Sequence, residues 1–184
     1  ILCFIWGTTW IVLKKSLMEG TPPFFGAGFR FFVAGLILWA VILYKKDRPS
    51  FEPLPLRLYI QFGLMNLTIS YGLTYWATQF IYSSLSAIIW SGFPLCVAVI
   101  SYFMLPNEPL TKKKMISLFL GTFGALLILK EGLKFEGDQV AFGILMVMIA
   151  VIIAGYPNVY LKRYSDAVTS LHLNAVSQLM AGIT

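Results

Sequence analysis

Arg30 stands alone: between Pro23 and Tyr44 it is the only charged side chain in an otherwise apolar run. Other groups that could do chemistry are scarce. The acids Glu19, Asp47, Glu52, Glu108, Glu131, Glu136, Asp138 and Asp166 all fall between apolar runs or at their ends. His172 is the single histidine, and one histidine makes no metal site. Cys3 and Cys96 each lie within an apolar run, where a thiol behaves as a small hydrophobe, and a disulfide between them is not expected. The chain carries no glycine-rich phosphate loop, catalytic triad or paired-cysteine motif, so no metal or cofactor is expected. Clustered ionisable residues at one place, which an enzyme needs, are missing from the pattern.

What must position Arg30 is a membrane. Of 184 residues, 58% are hydrophobic and 12% charged, against about 25% charged in a soluble domain. A soluble fold leaves roughly a third of its unfolded surface wet and could not hide this much apolar area. The net charge of +6 comes from short Lys and Arg clusters between apolar runs. Such clusters read as topology signals rather than as a nucleic-acid surface.

Each apolar run must satisfy its own backbone in lipid and therefore forms a helix. Span one covers Ile1 to about Leu17. Span two runs from Pro23 to Tyr44, with Pro22 and Pro23 suited to a helix start. The stretch from Leu58 to Asn107 has 50 residues without a charge, too long for one helix across a core about 30 Å thick. It folds back near Thr78 to Ser84, giving span three at Leu58 to Ala77 and span four at Ser84 to Leu105. Pro106, Asn107 and Pro109 stop it. Thr111 is the expected N-cap of span five, which continues to Leu129. A polar loop follows to Asp138, span six covers Gln139 to Leu161, and span seven opens near Thr169. Apolar residues at both ends, from Ile1 and up to Thr184, make the chain read as a fragment with its last span incomplete.

Cytoplasmic loops hold the excess of Lys and Arg. Lys45, Lys46, Arg48, Arg57, Lys112, Lys113, Lys114, Lys162 and Arg163 fall on one side; Lys14, Lys15, Lys130 and Lys134 fall on the other. The first side is therefore expected to be cytoplasmic, with the N-terminus there too.

Sliding the sequence by 148 residues lays Gly7 on Gly155, Leu13 on Leu161, Lys14-Lys15 on Lys162-Arg163, Thr21 on Thr169, and Arg30 on Gln178. Five spans separate the copies, and an odd number reverses the chain's direction through the membrane. Inverted repeats of this kind recur in secondary transporters, with substrate near the midplane between halves.

Trp6-Gly7 in span one, Arg30 in span two, Pro94 in span four, Glu108 with Leu110-Thr111 at the entry to span five, and Gly124 late in span five occur in one order. In this the chain resembles the EamA family of the drug/metabolite transporter superfamily. Ser117 departs from the family's frequent glycine. The resemblance implies an all-α polytopic helix bundle of inverted five-helix repeats. Residues 1–130 would be the first, 131–138 a loop, and 139–184 the start of the second. It implies a secondary transporter of small metabolites such as amino acids in the cytoplasmic membrane, with lipid and a small solute as partners and no nucleic acid. The alternative is a non-transporting scaffold or half-transporter, homodimerising through small residues. Small multidrug resistance proteins, distant relatives, use a membrane-embedded glutamate for proton exchange, and no acid matches it here.

Within such a bundle Arg30 must face protein, water or substrate, since a charge at the bilayer centre costs roughly 2.5 to 3.5 kcal/mol on insertion scales. It serves substrate or gating, or it bonds to backbone carbonyls. Pro94 and Pro157 each withhold a donor from the preceding turn, from the carbonyls of Trp90 and Ile153, and mark a cavity wall or hinge, or a kink that only improves packing. Trp10, Asn66, Tyr71, Tyr75, Trp90, Tyr156 and Asn158 complete the candidate cavity, against the plainer reading of interfacial filler. Ser83, Ala87 and Ser91, four apart, are expected to let helices pack closely.

Overall fold

In the computed structural model, residues 2–105, 111–132 and 138–184 are described, and the side chains of residues 2–7, 122, 125, 126, 128–132 and 138 lie outside that set. So do Pro106, Asn107, Glu108, Pro109 and Leu110, the expected stop of span four and part of the span-five entry. The described residues form seven helical rods and no strand.

α1 covers Leu2–Met18 and α2 Pro23–Lys45. α2 begins as its prolines require, with a Pro in its first turn, and ends on Lys46 in the left-handed conformation (φ 54°). The third rod starts at Pro53, ahead of the charge-free stretch, because proline opens a helix regardless of what precedes it. It runs as α3 (Pro53–Gln61), a π-helical segment (Phe62–Ser70) and α4 (Tyr71–Ala77). Arg57 thereby sits inside a helix, its guanidinium 5.4 Å from the Tyr160 ring centroid.

The chain turns back after Ala77 and resumes as α5 (Ser83–Ser91) and α6 (Phe93–Met104), broken at Gly92. Pro94 stands in the middle of the Ser83–Met104 span, in the first turn of α6 just after this break, where its missing N–H has no helical partner to lose. Thr111 caps α7 (Lys112–Gly132), its hydroxyl accepting from the Lys114 N–H at 3.4 Å. α8 spans Asp138–Arg163 with Pro157 inside it. A short 3₁₀ turn (Ser165–Ala167) leads to α9 (Ser170–Ile183), capped by Thr169, which accepts from the His172 N–H at 3.2 Å.

By length and composition, Pro23–Lys45, Ser83–Met104 and Gln139–Arg163 could each cross a bilayer. Large apolar side chains point outward along α2 and α7, among them Phe25, Phe29, Ile37, Phe119 and Phe123. Lipid is the solvent that makes such a surface stable.

Within the bundle, helices meet through small residues and hydroxyls. Ser70 Oγ donates to the Ala150 carbonyl at 2.7 Å, and Ser177 Oγ to the Tyr59 carbonyl at 3.0 Å, all four residues being buried. Where no water competes, these bonds tie one helix to another. The closest crossing is between α2 and α9. A Cβ on Gly182 would come within 2.6 Å of the Phe32 backbone, and one on Gly35 within 2.8 Å of the Leu179 backbone nitrogen.

Each end of the bundle is tied by a charged group. At one, Lys14 Nζ donates to the carbonyls of Thr78 (2.9 Å) and Ile81 (3.3 Å), closing the end of α4 and the turn after it. At the other, Asp47 Oδ2 lies 2.9 Å from Nε2 of the buried His172, joining the exit of α2 to the first turn of α9.

Candidate functional site

A cavity of about 480 Å³ opens between four rods. Trp10 comes from α1, Asn66 and Tyr71 from the π segment and α4, Ala87, Trp90, Ser91, Phe93 and Pro94 from the broken α5–α6 rod, and Asn158 from α8. Five of the candidates read from the sequence thus meet in one space, with Pro94 in its wall. The volume falls within the roughly 300 to 1,000 Å³ of small-molecule sites.

The wall is shaped by local backbone departures. The π segment places Asn66 in a widened turn, and such turns occur often at functional sites. The Gly92 break sets the Trp90 and Phe93 rings 5.7 Å apart at a 41° tilt. Pro157 is buried rather than on the wall, and it delivers the next residue, Asn158, to the cavity. Asn158 Nδ2 donates to the Ala154 carbonyl at 2.8 Å and to Asn66 Oδ1 at 3.3 Å, which ties α8 to the π segment.

The aromatic side is continuous. Tyr71 and Trp90 rings lie 5.6 Å apart, and Phe31 meets the edge of Tyr71 at 5.3 Å. Trp90 Nε1 donates to Thr74 Oγ1 at 3.1 Å, so its one donor is spent inside the bundle.

Arg30 and Tyr75 sit behind this wall. Both line a neighbouring groove of about 620 Å³ between α1 and α2, and a narrow gap between groove and cavity is lined by Trp10, Arg30, Tyr71, Thr74, Tyr75 and Trp90. Arg30 Nη1 donates to the Tyr75 hydroxyl at 3.5 Å, the long end of the hydrogen-bonding range, and its guanidinium stands 6.0 Å from the Tyr71 ring centroid and 5.8 Å from that of Phe31. Among the described residues a phenol and two ring faces hold it, and neither a carbonyl nor an acid does. A cation over an aromatic face gains about 0.5 to 2 kcal/mol depending on desolvation. The sequence pointed to substrate or backbone carbonyls as partners of Arg30 and not to these rings, although Tyr71 and Tyr75 were already candidates for the cavity.

Two expectations fail. Tyr156 lies away from the cavity, its ring stacked 6.0 Å from Tyr160 on the α8 face that leads to Arg57. The helical turn explains it, because residues two apart on a helix point in nearly opposite directions, and Asn158 takes the inward one. The stripe of Ser83, Ala87 and Ser91 is not what α5 turns to α8 either. α5 packs on α8 through Leu85 and Ile89 with Ala77, Ile81 and Val147, while Ala87 and Ser91 line the cavity. Small side chains here leave space instead of closing it.

Comparison with known proteins agrees with this architecture. The model of the EamA-like transporter family matches residues 1–130. An uncharacterised transporter of Bacillus subtilis, YoaV, is 28% identical over 97% of the chain and 61% of its own length. The S-adenosylmethionine/S-adenosylhomocysteine transporter of Chlamydia trachomatis is 30% identical over 98% of the chain and 57% of its own. An inner-membrane transporter of Escherichia coli, YedA, is 28% identical over 99% and 57%. One protein of known crystal structure shares the fold with a TM-score of 0.71 at 21% identity, over 97% of this chain and 63% of that one. The chain thus spans about three-fifths of the length of these relatives. With the family model covering most of the sequence, and the helices and cavity as described, this chain belongs to the EamA-like transporter family.

Proposed function

We propose that this chain belongs to a secondary transporter moving small metabolites, amino acids or related solutes, across the cytoplasmic membrane, with the N-terminus on the cytoplasmic side. The observation that carries the reading is the cavity itself. Its wall combines residues of the first, third and fourth rods with Asn158 of the sixth, so it lies at the junction of the two expected repeats. Aromatic faces and a few convergent polar groups are what a small-molecule site contains.

The repeat reading has geometric support. The shift of 148 residues carries Phe31 onto Leu179 and Ala34 onto Gly182, and the segments around these positions are the ones that cross most closely. A two-fold axis in the membrane plane brings equivalent segments of the two repeats together in this way. Residues 1–130 and 139–184 are then inverted units. The sidedness has support as well: the cluster around Asp47, His172, Arg57 and Tyr160 belongs to the Lys- and Arg-rich end, and Lys14 with the charge-free turn after Ala77 to the opposite one. Family and named relatives are transporters, which favours transport over catalysis or a scaffold role. The Chlamydia relative makes nucleoside-bearing amino acids one solute class to include in a screen.

The test is solute flux in membrane vesicles carrying the full-length protein, beside an Arg30→Gln variant. Expression-dependent flux of at least one metabolite is expected, with the variant inserting normally and carrying about tenfold less. Absence of any expression-dependent flux overturns the proposal, and full-rate transport by the variant removes Arg30 from it.

A further inference from the structure

The amide pair in the cavity narrows what that space can hold, granted the transport reading above. Asn158 Nδ2 is committed to Asn66 Oδ1 and to the Ala154 carbonyl. That leaves Asn158 Oδ1 as an acceptor and Asn66 Nδ2 as a donor, neither with a partner among the described residues. The two amides are in contact with each other and both line the cavity. A ligand that satisfies both carries a donor for Asn158 Oδ1 and an acceptor for Asn66 Nδ2.

The rest of the wall selects for flatness. Trp10, Tyr71 and Trp90 supply ring surfaces, and Trp90 has no donor to spare. Aromatic faces stack on heteroaromatic rings whatever their substituents. Charge selects as well: no Asp or Glu is among the lining residues, and the cation of Arg30 stands behind Tyr71. A fixed cation would meet repulsion without a counter-ion.

We propose that this cavity takes a planar, uncharged nitrogen heterocycle of the nucleobase class, free or within a nucleoside, with Asn158 Oδ1 accepting from its exocyclic amine and Asn66 Nδ2 donating to the adjacent ring nitrogen. A site built to hydrogen-bond a group rejects the analogue that lacks it far better than an apolar pocket rejects an extra methylene. Methylation of the amine is therefore the sharpest probe.

The experiment is calorimetric titration of the full-length protein in detergent with adenine, N6,N6-dimethyladenine, adenosine, leucine and choline. Adenine binds at least about tenfold tighter than its dimethyl analogue, and Asn158→Leu brings that ratio close to one. Asn66→Leu leaves Asn158 its bond to Ala154 and is the second variant, expected to weaken adenine and its dimethyl analogue alike by a similar factor, in protein whose monodispersity shows that it still folds. Binding of adenosine in place of adenine supports the same edge carried on a nucleoside. Equal binding of the dimethyl analogue, tighter binding of leucine or choline, or adenine affinity unchanged by Asn66→Leu overturns the proposal. Should flux of other solutes persist while no purine binds, the substrate class falls and transport stands; loss of all flux is a failure of transport itself.

Discussion

The α2–α9 crossing and the cavity behind Trp90 are both built with small residues, and they use them in opposite ways. At the crossing, Gly35 and Gly182 bring two backbones within contact of one another and leave no room between them. At the cavity, Ala87 and Ser91 share the wall with Trp10 and Asn158 and leave the space open. Residue size therefore says nothing about role until the facing helix is known. What separates the two regions is what lies within reach: Phe32 and Leu179 backbone in one, a ring of aromatic and amide groups in the other.

The comparison breaks most visibly under enlargement. Gly182→Leu forces a side chain into the Phe32 backbone, which cannot rotate out of the way as a side chain could. Overpacking typically costs 1 to 3 kcal/mol, and this contact belongs at or above the upper end, about 3 kcal/mol. The expected readout is a large fall in detergent melting temperature, or no monodisperse protein at all. A variant that melts with the wild type would mean the crossing is looser than the backbone geometry requires. The same kind of enlargement at the cavity has a different outcome. Ser91 is exposed, its hydroxyl turned back on the Ile88 carbonyl at 2.6 Å, and a leucine there has the cavity to enter. Ser91→Leu is expected to change stability by no more than about 0.5 kcal/mol, as at ordinary surface sites. Flux through the full-length protein should fall about tenfold. Flux unchanged by a filled cavity would separate this space from the transport path.

Local chemistry made much of the fold legible. Pro22-Pro23, Thr111 and Thr169 announce helix starts because the capping residue acts on its own backbone, and all three starts stand where the sequence puts them. The fold-back after Ala77 follows from the length of a charge-free run against the thickness of a bilayer. Trp10, Asn66, Tyr71, Trp90 and Asn158 could be grouped because a polar or amphipathic group inside a bundle needs an interior to face. What stayed hidden depends on partners distant in sequence. Tyr75 as the partner of Arg30 needs the relative height of two helices. The widened π turn at Asn66 depends on how the rod packs on α8, and Pro94 changes meaning once Gly92 ends the helix before it. Tyr156 and Asn158 differ by less than one helical turn, and only the bundle says which of them faces inward.

Lys14 and Lys15 sharpen the point at its smallest scale. The sequence offers two adjacent lysines that read as one topology signal. The structure separates them by one residue's rotation about α1. Lys14 Nζ is held by the carbonyls of Thr78 and Ile81, the acceptors left over where α4 ends and the chain turns back. Its positive charge also opposes the negative end of the helix dipole. Among the described residues Lys15 reaches only Glu19, at 3.9 Å, with side chains 76% and 66% exposed, and exposed pairs of this kind contribute little. Lys14→Met keeps the length of the side chain and removes both bonds, so it should lower stability by about 1 kcal/mol. Lys15→Met, the same chemical change one position along, should leave the melting temperature where it is. Equal effects from the two variants would mean that both lysines act through bulk charge at the membrane face and that the bonds to the turn add nothing.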